Sequence, residues 1–187
     1  MASDIVCEYM VKRKLSVPQI VKAAAIIMGG FTATFVISSL GAYADRSGMM
    51  GAMLLMIGIG VTIFFGRWLI MIEYEYAYFN GEITFDKILA KSKRRHLMDV
   101  DLKTVEKMGR PDDEAINSLK VDTIKDYSES IDHENTIYIY FKDPVSTKNT
   151  LLFFTPNQKM TDAMKTAVSA TVYREFFSKT NKNKKNN

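Results

Sequence analysis

Cys7 is the one cysteine of this 187-residue chain, and His96 and His133 are its two histidines. A single thiol forms no disulfide within the chain and no cysteine metal cluster, and Cys7 lies in a polar leader where an ordinary free thiol is expected. Neither histidine has a partner at metal-ligand spacing. His96 closes a basic run, and His133 sits in Asp132-His133-Glu134, where a solvated or salt-bridged role is expected. Asp112, Asp113 and Glu114 offer oxygen ligands, but without the repeated spacing of a calcium loop they read as an exposed acidic turn. The sequence has no glycine-rich phosphate loop, nucleophile elbow or zinc motif. The expectation is no catalytic residue, no cofactor, no metal and no enzymatic activity.

What remains is charge. Lys91, Lys93, Arg94 and Arg95 form a dense basic cluster, and the chemistry open to them is contact with anions: lipid headgroups or nucleic acid. Nucleic acid is not expected. Before Glu73 six basic residues face three acidic ones, so +3 of the net +4 belongs to that stretch, and the rest is nearly neutral. No aromatic-interleaved basic motif of an RNA-binding module is present either. What the cluster does depends on where the chain holds it.

Two uncharged apolar stretches, Ala23 to Ala44 and Ser47 to Gly66, lie almost back to back, with only Asp45 and Arg46 charged between them. Each has about the ~20 residues that carry a helix across ~30 Å of hydrocarbon, and the join allows only a tight helical hairpin. The reading is a two-pass membrane protein: a leader over 1–19, a transmembrane hairpin over 20–72, a domain over 73–178 and a disordered basic tail over 179–187. Lys12, Arg13, Lys14 and Lys22 precede the first span, and Arg67, Lys87 and the 91–95 cluster follow the second. The positive-inside rule then puts both termini in the cytoplasm, in a multi-pass protein of the cell membrane. A signal-peptidase site at Ala42-Tyr43-Ala44 is the competing reading, set aside because the apolar run exceeds the usual ~7–15-residue signal core.

Within the spans Ala25, Gly29, Ala33 and Gly41 share one line, and Gly48, Ala52 and Gly60 another. Gly29, Ala33, Ala52 and Gly60 are therefore the expected close-packing positions, within the hairpin first and between copies or partners second. No charge lies in the middle of either span, which removes the usual mark of an ion path. Arg67 and Trp68 read as the interfacial anchor at the cytoplasmic exit.

Beyond the spans the period becomes two. Glu73 to Tyr78 alternates, Asn80-Gly81 is a strong hairpin signal, and Glu82 to Asp86 alternates again. This register puts Tyr78 opposite Ile83 and Tyr76 opposite Phe85 on a buried face. It also sets Glu75 across from Asp86, a like-charge pair that calls for solvent or a basic neighbour. The second strand returns to its starting height near residues 88–90, so the basic cluster is expected beside the headgroups. Further strands are expected at His96 to Met98, Leu102 to Met108, Ser118 to Ser128, Thr136 to Phe141 and Thr150 to Phe154. Thr155-Pro156 is expected to cap a C-terminal amphipathic helix carrying Met160, Met164, Ala167 and Val168, with Phe176 and Phe177 near its end.

The fold class is thus α+β: a transmembrane helical hairpin, then a small antiparallel β domain of about seven strands with a C-terminal helix. With its Ile72-to-Tyr76 entry strand, Asn80-Gly81 turn and Lys91-to-Arg95 cluster, the chain resembles small two-pass bacterial membrane proteins with a PH-like cytoplasmic domain. These include an uncharacterised family from Gram-positive anaerobes. The resemblance implies a membrane-anchored adaptor or scaffold module with no enzymatic activity, and it carries over no binding residues. Three functions stay open. The first is an interaction module taking an unknown protein partner at a sheet edge or beside the C-terminal helix. The second is an anionic-lipid sensor using Lys91, Lys93, Arg94 and Arg95. The third is an accessory subunit of a membrane complex or a homo-oligomer meeting through the small-residue stripes.

Overall fold

Cys7, Tyr9 and Val11 alternate with Glu8, Met10 and Lys12, a period-two pattern that places three side chains on one face of a strand. In the computed structural model, which describes residues 7–45 and 47–176, this segment is strand β1 (Cys7–Lys12). It is followed by helices α1 (Val17–Ala44) and α2 (Met49–Ile70), then strands β2 (Ile72–Phe79), β3 (Glu82–Leu89) and β4 (Lys93–Asp101). Then come β5 (Val105–Gly109), β6 (Thr123–Asp126), β7 (Ile137–Lys142), β8 (Asn149–Phe154) and helix α3 (Gln158–Met164). Asp4, Arg46, Phe177 and the basic tail of 179–187 lie outside the described residues.

The chain divides into two units. One comprises the N-terminal stretch through Arg13, then Glu73–Ile88, then Lys93 onward; the other comprises Lys14–Ile72 with Leu89–Ser92.

The first unit holds two four-stranded sheets, in the orders β1-β2-β3-β4 and β5-β7-β8-β6. β1 pairs antiparallel with β2, from Cys7 opposite Tyr78 to Lys12 opposite Glu73. The expected polar leader is therefore part of the domain, and Cys7, only 2% exposed, is a core residue instead of a solvated thiol. The hairpin between β2 and β3 is as the sequence indicates: Asn80 and Gly81 both take positive φ, 48° and 90°, the backbone a tight two-residue turn requires.

In the second sheet β7 pairs antiparallel with β5 and β8, but β6 runs parallel to β8, so the sheet is mixed where an antiparallel one is expected. Among the described residues the strands number eight. β7 and β8 are buried on both faces. Ile116, Leu119 and Val121, from the segment between β5 and β6, pack on the outer side against Tyr138, Tyr140, Leu151 and Phe153. The inner sides of the two sheets meet in an aromatic cluster, with the Phe85 and Phe154 rings edge-on at 5.3 Å and Tyr76 at 5.6 Å from Phe154.

The C-terminal helix is broken in two. α3 is capped by Asn157, whose side chain accepts from the Met160 N–H at 2.8 Å, and residues 170–176 are again helical after a turn. Thr155 is buried instead of capping, sharing a 2.8 Å hydrogen bond with Thr136.

In the second unit α1 and α2, of 28 and 22 residues, are long and apolar enough to cross a membrane, and most of their apolar side chains are exposed. They fit a two-pass membrane protein. They cross through small residues, but not those expected. A Cβ on Gly51 would lie 2.8 Å from both the Ala42 Cβ and the Ser38 carbonyl oxygen, and one on Gly30 would meet Thr62 at 3.0 Å. The Ser38 hydroxyl donates to the Gly51 carbonyl at 2.7 Å. Gly29 and Gly60 have nothing within 4 Å of such a Cβ, and Ala33 and Ala52 are exposed. All four face away from the crossing.

Candidate functional site

The end of the first sheet where β1 finishes is assembled from four chain segments. Because Lys12 lies opposite Glu73, the exit of β1 sits beside the entry of β2. The two-residue turn sends β3 back to that same end, where Ile88 and Leu89 lead into the next turn, and β4 starts there with Lys93, Arg94 and Arg95. Lys12, Arg13, Lys87 and the first residues of β4 thus share one rim. The sequence suggests only the last of these as a site.

Strand alternation divides the rim's charges between two faces. Glu75 and Asp86 stand on the outer face of β2 and β3, and Arg94 joins them from β4. It pairs with Glu75 and holds Nε at 3.7 Å from an Asp86 carboxyl oxygen, so the basic neighbour that the Glu75–Asp86 pair requires is Arg94 itself. His96 continues the same face, with Nδ1 at 3.1 Å from Asp86 and Nε2 at 3.3 Å from Asp99. Asp99 also accepts from the Thr84 hydroxyl at 2.8 Å. This charge ladder consumes Arg94 and His96 internally.

The inner line of each strand carries the core and then, at the rim, cations. On β1 the line Cys7, Tyr9, Val11 is continued by Arg13; on β3 the line Ile83, Phe85 is continued by Lys87. Arg95 alternates with Arg94 and His96 and so stands on the opposite face from them. Arg13 is held firmly. Its Nη1 donates to the Tyr74 hydroxyl and to the Asp126 carbonyl, both at 2.8 Å, and its Nη2 to the Asp126 carboxylate at 2.8 Å. That carboxylate is braced in turn by the Ser128 N–H and hydroxyl, at 3.0 and 2.6 Å. Burial, and then the guanidinium charges of Arg13 and Arg95, lower the pKa of the Lys87 ammonium. Burial above all raises the Tyr74 phenol, against the opposing pull of Arg13.

Of the four suggested headgroup residues, Lys91 and its neighbour Ala90 occupy a positive-φ turn between β3 and β4, at 57° and 49°. That turn is closed by the Ser92 N–H to the Leu89 carbonyl at 3.1 Å. It is tied by the Ala90 N–H to the Met71 carbonyl, at 2.8 Å, to the residue just after α2. Lys93 opens β4, Arg94 is spent on the outer face and Arg95 lies on the inner one; the cluster is not one patch. Arg67 places its guanidinium carbon 4.5 Å above the Phe64 ring, and Trp68 packs against Phe64 and Phe65 at 6.0 and 6.2 Å. This aromatic and basic group at the end of α2 has the composition of an interfacial belt.

Arg13 and Lys87 are the rim residues that the sequence reading missed as site residues. The signal for Arg13 lay in the Cys7-to-Lys12 alternation, which makes it the next inward position after a short strand. Elsewhere, an open cleft of about 380 Å³ is lined by Arg110, Asp112, Ile131, His133 and Thr136 among others. Asp113 caps the turn beside it through the Ala115 N–H at 3.0 Å. Among the described residues no three histidine, cysteine or carboxylate side chains are grouped to hold a metal ion.

A family model described as Bacterial PH-like domain (DUF6106) matches residues 3–174. No curated protein and no solved structure matches the chain.

Proposed function

The chain belongs to this bacterial PH-like domain family, and from that premise we propose that it is a non-enzymatic, membrane-anchored interaction module. Its domain is presented to partners at the cytoplasmic face of the cell membrane. The pairing of β1 with β2 carries the reading: the strand before the apolar hairpin and the strand after it are neighbours in one sheet. Whatever membrane the hairpin enters, it must enter and leave on one side, with the domain built around both ends. The excess of Lys and Arg on that side supports the cytoplasm.

Cysteine mapping tests this. In a Cys7→Ala background, Tyr43→Cys at the far end of the hairpin is expected to react with a membrane-impermeant maleimide on intact cells. Lys103→Cys in the domain should react only after permeabilisation. The reverse pattern, or equal labelling of both, would overturn the reading.

A second reading, contact with anionic lipid, is supported by the rim that gathers Lys12, Arg13, Lys87 and Arg95. Each cation close to an anionic leaflet contributes about 1 kcal/mol. It adds a surface to the module and does not replace it.

A further inference from the structure

We propose that Lys87 and Arg95, backed by Arg13, form a binding site for a phosphate group at the basic end of the first sheet. The site deepens the lipid-contact reading and rests on it for the source of the phosphate, but not for its chemistry. Lys87 and Arg95 come from the adjacent strands β3 and β4, Arg13 follows β1 on the far side of β2, and the carboxylate there, Asp126, is already bound by Arg13 and Ser128. Among the described residues no carboxylate pairs with Lys87 or Arg95. Two unmatched cations side by side, one of them half-buried, favour a ligand that brings at least one negative charge and several acceptor oxygens. Phosphate has both. Arg13, its charge offset by the Asp126 carboxylate at 2.8 Å, frames the site from a fixed position, because Tyr74 and both oxygen types of Asp126 lock its guanidinium. Arg94, although next to Arg95 in sequence, is outside the site, paired on the other face with Glu75 and Asp86.

The lowered pKa of Lys87 supplies the readout, since a free amine acylates and an ammonium held by phosphate does not. The full chain in phosphate-free maltoside micelles is acylated at slightly alkaline pH, and the rate at Lys87 is measured by mass spectrometry against the exposed Lys103. Phosphatidylglycerol is mixed into the micelle in one arm and inorganic phosphate added in another, with chloride matching the ionic strength. A bound phosphate that raises the amine's pKa by one unit slows the Lys87 reaction about tenfold while Lys103 is unchanged. Slowing by the lipid alone assigns a headgroup; slowing by inorganic phosphate as well assigns a soluble phosphate ligand. Arg95→Gln is expected to abolish the protection and Arg94→Gln to keep it. Equal Lys87 rates in all arms, or protection that survives Arg95→Gln, would overturn the proposal. A chain whose cysteines map to the other side of the membrane, yet whose Lys87 is protected, would refute only the localisation.

Discussion

Arg13 joins two distant parts of the domain through three hydrogen bonds, one to the Tyr74 hydroxyl and two to Asp126. Truncating it strands a part-buried carboxylate and the phenol oxygen together, so Arg13→Ala is expected to lower stability by about 1–3 kcal/mol. Arg13→Lys should restore little, because an ammonium lacks the planar fork that reaches three acceptors. Urea unfolding of the full chain in micelles, followed by tyrosine fluorescence, measures both. The buried phenols give a second expectation. Burial first, and then the charges of Asp113 and Glu175, push the Tyr138 pKa up to about 12, and burial likewise raises Tyr76. A folded-state pKa above the unfolded one means the neutral phenol stabilises the fold fully below pH ~10, and that contribution is lost as pH rises through about 12. Alkaline titration should therefore show tyrosinate absorbance growing together with loss of structure between those values. A complete tyrosine titration near pH 10 with the fold intact would contradict it.

Helix α1 meets α2 through Gly30, Ser38 and Gly41 on one side and Gly51 and Thr62 on the other, and this choice of face is what substitution should report. Gly51→Ala places a methyl against backbone that cannot yield without moving a helix, and overpacking of that kind typically costs 1–3 kcal/mol, roughly. Gly60→Ala meets open space and is expected to be neutral. Detergent-induced unfolding followed by Trp68 fluorescence separates the two. The same comparison explains what could be read without coordinates. The spans, the Asn80–Gly81 turn and the Tyr76–Phe85 face followed from patterns contained in a few neighbouring residues. Both spans carry small residues on more than one side, and nothing local says which side faces the partner helix. β1 was missed because its six residues pair with β2 across the whole hairpin; Arg13 and Tyr74 are 61 positions apart. The parallel β6 depends equally on distant pairing. The helix cap moved from Thr155 to Asn157 because Thr155 is drawn inward by Thr136. For the candidate site, the basic run was visible, but its division between two faces needed the register of β4.

Taken together, the chain is a β domain opened between its first two strands to admit a helical hairpin. In a bilayer, a defect placed in the hairpin is then expected to damage the domain as well. Ile59→Arg, near the middle of α2, puts a charge costing about 2.5–3.5 kcal/mol where the second crossing must form. The prediction is that limited proteolysis in membranes will cut the substituted chain within residues 73–176, where the parent chain resists. A protected domain in a chain with only one crossing would refute this. The reason lies in the order of synthesis. β1 leaves the ribosome before either helix, and on the two-pass reading it finds β2 only if the second helix has returned the chain to the side from which the first departed. On the two-pass reading, closure of the sheet is expected to act as a proofreading step for insertion: a molecule threaded wrongly would be left with an open edge for quality-control proteases to recognise, and a molecule threaded correctly would seal itself.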